Sequence, residues 1–296
     1  MLAAVERELE TARPRAVLVQ GDTNSVLAGA LAAAKLGIPV AHVEAGLRSD
    51  DRRMPEELNR IVADHLATWC FPPTEGAVSR LFAEGITGKG VFCTGNTIVD
   101  ATRQHLPLAR RTGALERLGL AASGFVLTTI HRAENTDDAT RLEAIVAGLV
   151  AVARRWPVIF PLHPRTRSCL ERTGLASRLA SAPGVRVFDA VGYLEFLCLL
   201  DAAAVVVTDS GGVQEESCIL QVPCVTVRDS TERPETVAAG GNRLVAADAA
   251  AMVGAVEDMA RVGRDWSHPF GDGRAGQRIA TFLGEKLAYG TEAEAP

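Results

Sequence analysis

The sequence predicts an α/β protein of two doubly wound parallel-sheet domains, and three observations predict it. Short apolar runs rich in β-branched residues alternate with helix-like stretches in two separate series. A compositional shift over residues 103–123 separates the series. The apolar runs end in polar, chemistry-bearing residues, as strands of an open parallel sheet do at the carboxyl edge where ligands bind.

In the first series, residues 2–12 place Leu2, Val5 and Leu9 on one helical face, and Pro14 ends the helix. Residues 16–20 read as a strand running into Gly21-Asp22-Thr23. A helix over 26–35, a Gly-Ile-Pro turn and a strand over 40–43 complete a β-α-β unit whose polar ends, Asp22 and His42/Glu44, face one edge. Pro55 then opens a helix at a favoured first-turn position, with Glu56 and Glu57 where the dipole favours acids. Short strands are expected at 68–71 and 91–93, and residues 103–123 read as linker and entry loop.

The second series alternates strands at 125–129, 158–161, 185–188, 205–208 and 224–228 with helices at 140–156, 166–173 and 193–200 and one after Ser210. Domain limits of 1–105 and 106–275 are expected, with a last helix near 277–288 inside a closing segment, 276–296.

Composition narrows the function classes. A net charge of −5 without any basic, aromatic-interleaved cluster excludes a nucleic-acid partner. The six cysteines form no CxxC pair, so free buried thiols are expected rather than a zinc site or disulfides. No apolar run is long enough to cross a membrane, and Met1 leads directly into an amphipathic helix without a signal-peptide pattern. A cytoplasmic protein without metal or cofactor is expected.

The second series centres on Val205 to Glu216, which reads as a buried strand, a Ser-Gly-Gly turn and a helix carrying Glu215 and Glu216 in its first turn. Ser210 can cap that helix, while Gly211 and Gly212 let a ligand approach the backbone. Free N–H groups and the positive dipole end there suit a phosphate. Arg233, after the next strand, can reach the same phosphate with its planar fork. In the first series Asp22, Glu44 and Glu56 cluster at one edge, where burial and like charge can divide them into general acid and general base. His131-Arg132 and His163-Pro164-Arg165 end successive strands of the second series.

These segments, together with His42-Val43-Glu44-Ala45-Gly46-Leu47-Arg48, Pro55 to Arg60, Thr94-Gly95-Asn96-Thr97, Arg228 to Glu235 and Asn242 to Val245, resemble the non-hydrolysing bacterial UDP-N-acetylglucosamine 2-epimerase family in order along nearly the whole chain. The resemblance implies a glycosyltransferase-B-like fold of two Rossmann-like domains with a UDP-sugar in the cleft, the last helix crossing back to the first domain, and a homodimer. It implies interconversion of UDP-GlcNAc and UDP-ManNAc by elimination and re-addition of UDP. By the same resemblance Asp22, Glu44 and Glu56 match acid/base carboxylates and His131 a catalytic-site histidine. Ser210, Gly211, Gly212 and Arg233 match diphosphate ligands, Glu216 the ribose acceptor and Phe196 the residue near uracil. The family's opening strands, with a Gly-Thr-Arg-Pro-Glu segment, have no counterpart here, so the first domain is expected to be truncated. An epimerase of a UDP-2,3-diacetamido uronic acid, a glycosyltransferase of the same fold and an inactive UDP-binding fragment stay open as alternatives.

Overall fold

The computed structural model describes residues 1–88 and 90–289. It forms two compact units, Met1–Ala101 with the described residues from Phe270 onward, and Thr102–Pro269.

The chain runs through α1 (Leu2–Ala12), β1 (Val17–Gln20), α2 (Asn24–Lys35), β2 (Val40–Val43), α3 (Pro55–Leu66), β3 (Trp69–Phe71), α4 (Glu75–Ala83) and α5 (Thr97–Arg110). The first unit's sheet is parallel, in the order β1-β2-β3. Val19, Val40 and the alanine-rich face of α2 close one side of it. The other side is closed by the last helix of the chain, described below.

The second unit continues with α6 (Ala114–Leu118), β4 (Val126–Thr129), α7 (Ala133–Thr136), α8 (Ala139–Val152), β5 (Val158–Leu162), α9 (Pro164–Arg172), α10 (Leu175–Ala180), β6 (Val185–Asp189) and α11 (Tyr193–Ala202). Then come β7 (Val205–Thr208), α12 (Gly211–Ile219), β8 (Cys224–Val227), α13 (Pro234–Ala238), β9 (Asn242–Val245) and α14 (Ala249–Met259). Its sheet has the order β6-β5-β4-β7-β8-β9, every pair parallel. The chain leaves β4 towards β5 on one side and reaches β7 on the other, so the order reverses between β4 and β7. The carboxyl ends of those two strands are the switch point at which such sheets bind ligands. β7 is Val-Val-Val-Thr and fully buried, as a central parallel strand covered on both faces must be.

The last helix, α15 (Ala275–Tyr289), belongs to the first unit. Its N-terminus is held by the Asp100 carboxylate, which accepts from the N–H groups of Ala275 and Gly276 at 3.1 and 3.0 Å. Ile279, Phe282 and Leu283 then pack on Ala41, Val43 and Phe71.

The structure corrects the sequence-based expectation here at residues 91–93, at residues 103–123 and at one cysteine. Residues 91–93 form no strand: Val91 makes a single parallel bridge to Cys70. Residues 103–123 are largely helical, because Leu106, Ala109, Ala114 and Leu115 in α5 and α6 join the second unit's core, and that burial outweighs the Arg-Gly-rich composition. Of the cysteines, Cys93 is exposed rather than buried. Among the described residues no helix is long and apolar enough to cross a membrane.

Candidate active site

In the first unit the three sequence-predicted carboxylates stand at the carboxyl ends of β1 and β2 and at the start of α3. Asp22 follows β1 and pairs with Arg60 of α3, Nη2 to Oδ2, at 2.6 Å. Arg60 is almost fully buried and also meets Glu57 at 2.9 Å. Glu57 in turn accepts from the Ser49 and Asp50 N–H groups, so it fixes the loop before the helix. Its half-buried neighbour Glu56, one residue earlier, is turned to a different side of α3.

Glu44 follows β2 with φ +70°, a left-handed conformation that costs a residue with a Cβ about 1–3 kcal/mol. Its Oε1 accepts from Gln20 Nε2 at 3.0 Å. Behind it, the buried His42 ring bridges Asp64 and the Gly21 carbonyl, and Asp64 also accepts from Gly46 N–H. Gly46 has φ +81°, and a Cβ there would lie 2.4 Å from the Ala77 carbonyl oxygen, so no other residue fits.

In the second unit, α12 begins at Gly211. Glu215 and Glu216 therefore fall in its second turn, one turn later than expected from the sequence, since a helix with Ser210 as its N-cap completes its first turn before reaching them. The Ser210 side chain makes no capping bond; its backbone N–H goes to Thr208 Oγ1 at 3.0 Å. The first-turn N–H groups at Gly211 and Gly212 thus carry no side-chain cap, which is what an anion site needs. A Cβ on Gly211 would lie 2.5 Å from Glu232 Oε1.

Around this helix start lie three arginines and their counter-charges. Arg228 and Arg132 meet Glu232 at 2.7 and 3.3 Å, and Arg233 Nε meets Glu215 at 2.5 Å. The Arg233 guanidinium is thus paired with a carboxylate of α12, an arrangement the sequence did not signal.

His131 and Arg132 follow β4, across the switch point from Ser210. Their backbone N–H groups both donate to the Asp209 carboxylate, at 3.0 and 2.9 Å, and Asn135 Nδ2 adds a third bond at 3.1 Å. Burial alone would push Asp209 up, but these donors and the His131 ring more than offset it and hold the carboxyl below its ordinary range. His163 lies beside His131, ring centroids 5.7 Å apart. Glu216 is buried, and burial pushes it up to about 7 against a hydrogen bond donated by Tyr193. Phe196, on α11, packs partly buried against the core beside Leu197.

Sequence reasoning missed Arg60, Asp64, Asp209 and Tyr193. Only the Glu57–Arg60 pair had a local signal, its helical i, i+3 spacing. The partners of Asp22, His42 and His131 are 22 to 78 residues away in sequence.

Comparison with known proteins fits this geometry. A family model described as UDP-N-acetylglucosamine 2-epimerase matches residues 1–284. The UDP-N-acetylglucosamine 2-epimerase of Methanocaldococcus jannaschii is 48% identical over 96% of this chain and 79% of its own. Its crystal structure in complex with UDP-GlcNAc and UDP superposes with a TM-score of 0.92 over the same shares of the two chains. A UDP-2,3-diacetamido-2,3-dideoxy-D-glucuronate 2-epimerase of Pseudomonas aeruginosa is 45% identical over 96% of this chain and 78% of its own. With two parallel α/β units, strand-end carboxylates and a glycine-led helix start at the sheet's switch point, the chain belongs to the UDP-N-acetylglucosamine 2-epimerase family.

Proposed function

We propose that the protein interconverts UDP-GlcNAc and UDP-ManNAc. The observation that carries this reading is the uncapped, glycine-led start of α12 at the switch point, in a chain 48% identical to an enzyme named for this reaction. The C2 proton of the sugar has no adjacent carbonyl to acidify it, so departure of UDP must lead. Donors fixed where charge develops on the leaving diphosphate lower that barrier most directly. Ser210, Gly211, Gly212 and Arg233 serve the diphosphate, Glu216 the ribose hydroxyls and Phe196 the uracil. Arg233 then exchanges its Glu215 contact for, or shares it with, a phosphate oxygen.

In the first unit Asp22, Glu44 and Glu56 supply the acid and base that take the C2 proton and return it to the opposite face of the glycal-like intermediate. His131, held by Asp209, is the catalytic-site histidine of the second unit. The protein works as a cytoplasmic homodimer that supplies ManNAc nucleotide for cell-envelope polysaccharide.

Incubating UDP-GlcNAc with the protein in deuterated water tests the reading: UDP-ManNAc labelled at C2 is expected. A folded protein that neither epimerises nor exchanges the C2 proton would sink it. The 45% identity to the P. aeruginosa diacetamido-glucuronate epimerase favours one second reading, and comparing turnover of the two UDP-sugars separates them.

A further inference from the structure

His42 lies at the centre of the first unit's sheet with no exposed surface. Its Nδ1 is 2.6 Å from Asp64 Oδ1 and its Nε2 is 2.9 Å from the Gly21 carbonyl oxygen. A carbonyl oxygen only accepts, so Nε2 carries a proton. Asp64 is itself held as a carboxylate: its Oδ2 accepts from Gly46 N–H at 3.1 Å and faces Arg48 Nη1 at 2.7 Å. Nδ1 therefore carries a proton as well, and the ring is an imidazolium.

The placement of its partners gives that charge a purpose. Gly21 immediately precedes Asp22, and Gly46 lies two residues after Glu44. The His42–Asp64 pair thus grips the backbone on both strand-end loops that carry proposed acid/base groups. One of those loops holds Glu44 at φ +70°, which the surroundings must enforce.

We propose that His42, as a doubly protonated ring paired with Asp64, is a positioning residue that sets the Asp22 and Glu44 loops for proton transfer. The proposal rests on the epimerase reading of those two carboxylates. Other charged or titratable groups around the ring are Arg48 with Glu84 behind Asp64, Glu44 at the end of its own strand, and Cys70 on β3. Burial pushes the Cys70 thiol up to about 12, so it stays neutral beside the ring. Burial also disfavours the charged imidazole, but Asp64 and the Gly21 carbonyl outweigh it and hold His42 above its ordinary range.

The test begins with the wild-type protein labelled with 15N-histidine. At pH 8, where a free imidazole is neutral, both His42 nitrogens are expected to carry protons. On further titration the amide resonances of Asp22 and Glu44 are expected to move with the same midpoint as the ring. A singly protonated ring at pH 8, or amides that stay still while the ring loses its proton, overturns the proposal.

Kinetics supply the second arm. His42→Gln is expected to lower kcat about 10²-fold, the cost of misplacing a reacting group, with KM within about threefold. Val40→Ala, a core truncation at the other end of the same strand, is expected to lower Tm while leaving kcat unchanged. A folded His42→Gln protein with wild-type kcat also overturns the proposal. A wild-type protein that folds but does not epimerise would instead sink the functional reading and leave the spectra to decide the role of His42.

Discussion

At the scale of single residues, the proposed acid/base groups differ in how they are held. Asp22 is anchored by an arginine that is itself buried and shared with Glu57. Arg60→Met would leave Glu57 as a buried charge without its cation and Asp22 without its anchor. Losing one partner of a buried pair costs about 3–5 kcal/mol, so a large drop in Tm and loss of turnover are expected together in melts and rate assays. Asp22→Asn keeps a hydrogen-bonding group beside Arg60. It is expected to keep the fold by circular dichroism and to lower kcat about 10²–10⁴-fold.

Glu216 gives a pH prediction with a definite sign. Its carboxyl, at about 7, is neutral in the free protein at lower pH and ionised above. On the proposed reading Glu216 accepts from ribose hydroxyls, which donate best to the ionised form, so UDP affinity measured by calorimetry is expected to rise as pH increases through about 7. In Glu216→Gln the rise contributed by this carboxylate should be absent, with affinity near that of the wild type at low pH and below it above about 7.

At the scale of elements, the strand-end turns are constrained more tightly than the helices. Gly46→Ala would force a Cβ against a backbone carbonyl at positive φ, which no side-chain rotation relieves. A destabilisation above about 2 kcal/mol by denaturant titration is expected. Gly211→Ala meets only the end of the Glu232 side chain, so the fold should survive. The methyl and the displaced carboxylate would instead crowd the α12 start, and UDP affinity is expected to fall about tenfold or more.

For the molecule as a whole, the His42–Asp64 pair makes stability depend on pH from both sides. His42 is raised in the folded protein, so its contribution is complete below the ordinary histidine range and is lost as pH rises through its own higher value. Asp64 is lowered, so its contribution is present above the ordinary carboxylate range and is lost as pH falls through its own lower value. Tm is therefore expected to hold between those limits and to decline on the alkaline side, and His42→Gln should flatten the alkaline decline.

Most of the strands and the glycine-led helix start were legible in the sequence because each is a local pattern, whereas the roles expected of His131, Glu216 and Phe196 came from the family resemblance. An apolar run must be buried, a glycine pair after it must turn, and polar residues at its end must face the edge. The alternation of Val126–Thr129, Val158–Leu162 and Val205–Thr208 with helices determined the second unit's class from local pattern alone. The chain by itself did not reveal that 103–123 is helical or that 91–93 is not a strand, since both depend on what distant residues bury. Nor did it reveal that Arg60 holds Asp22, that Asp64 charges His42, or that Asp209 grips the His131 loop. Those pairings join residues with no fixed spacing, and only the folded sheet, by aligning the ends of its strands, brings them within hydrogen-bond reach.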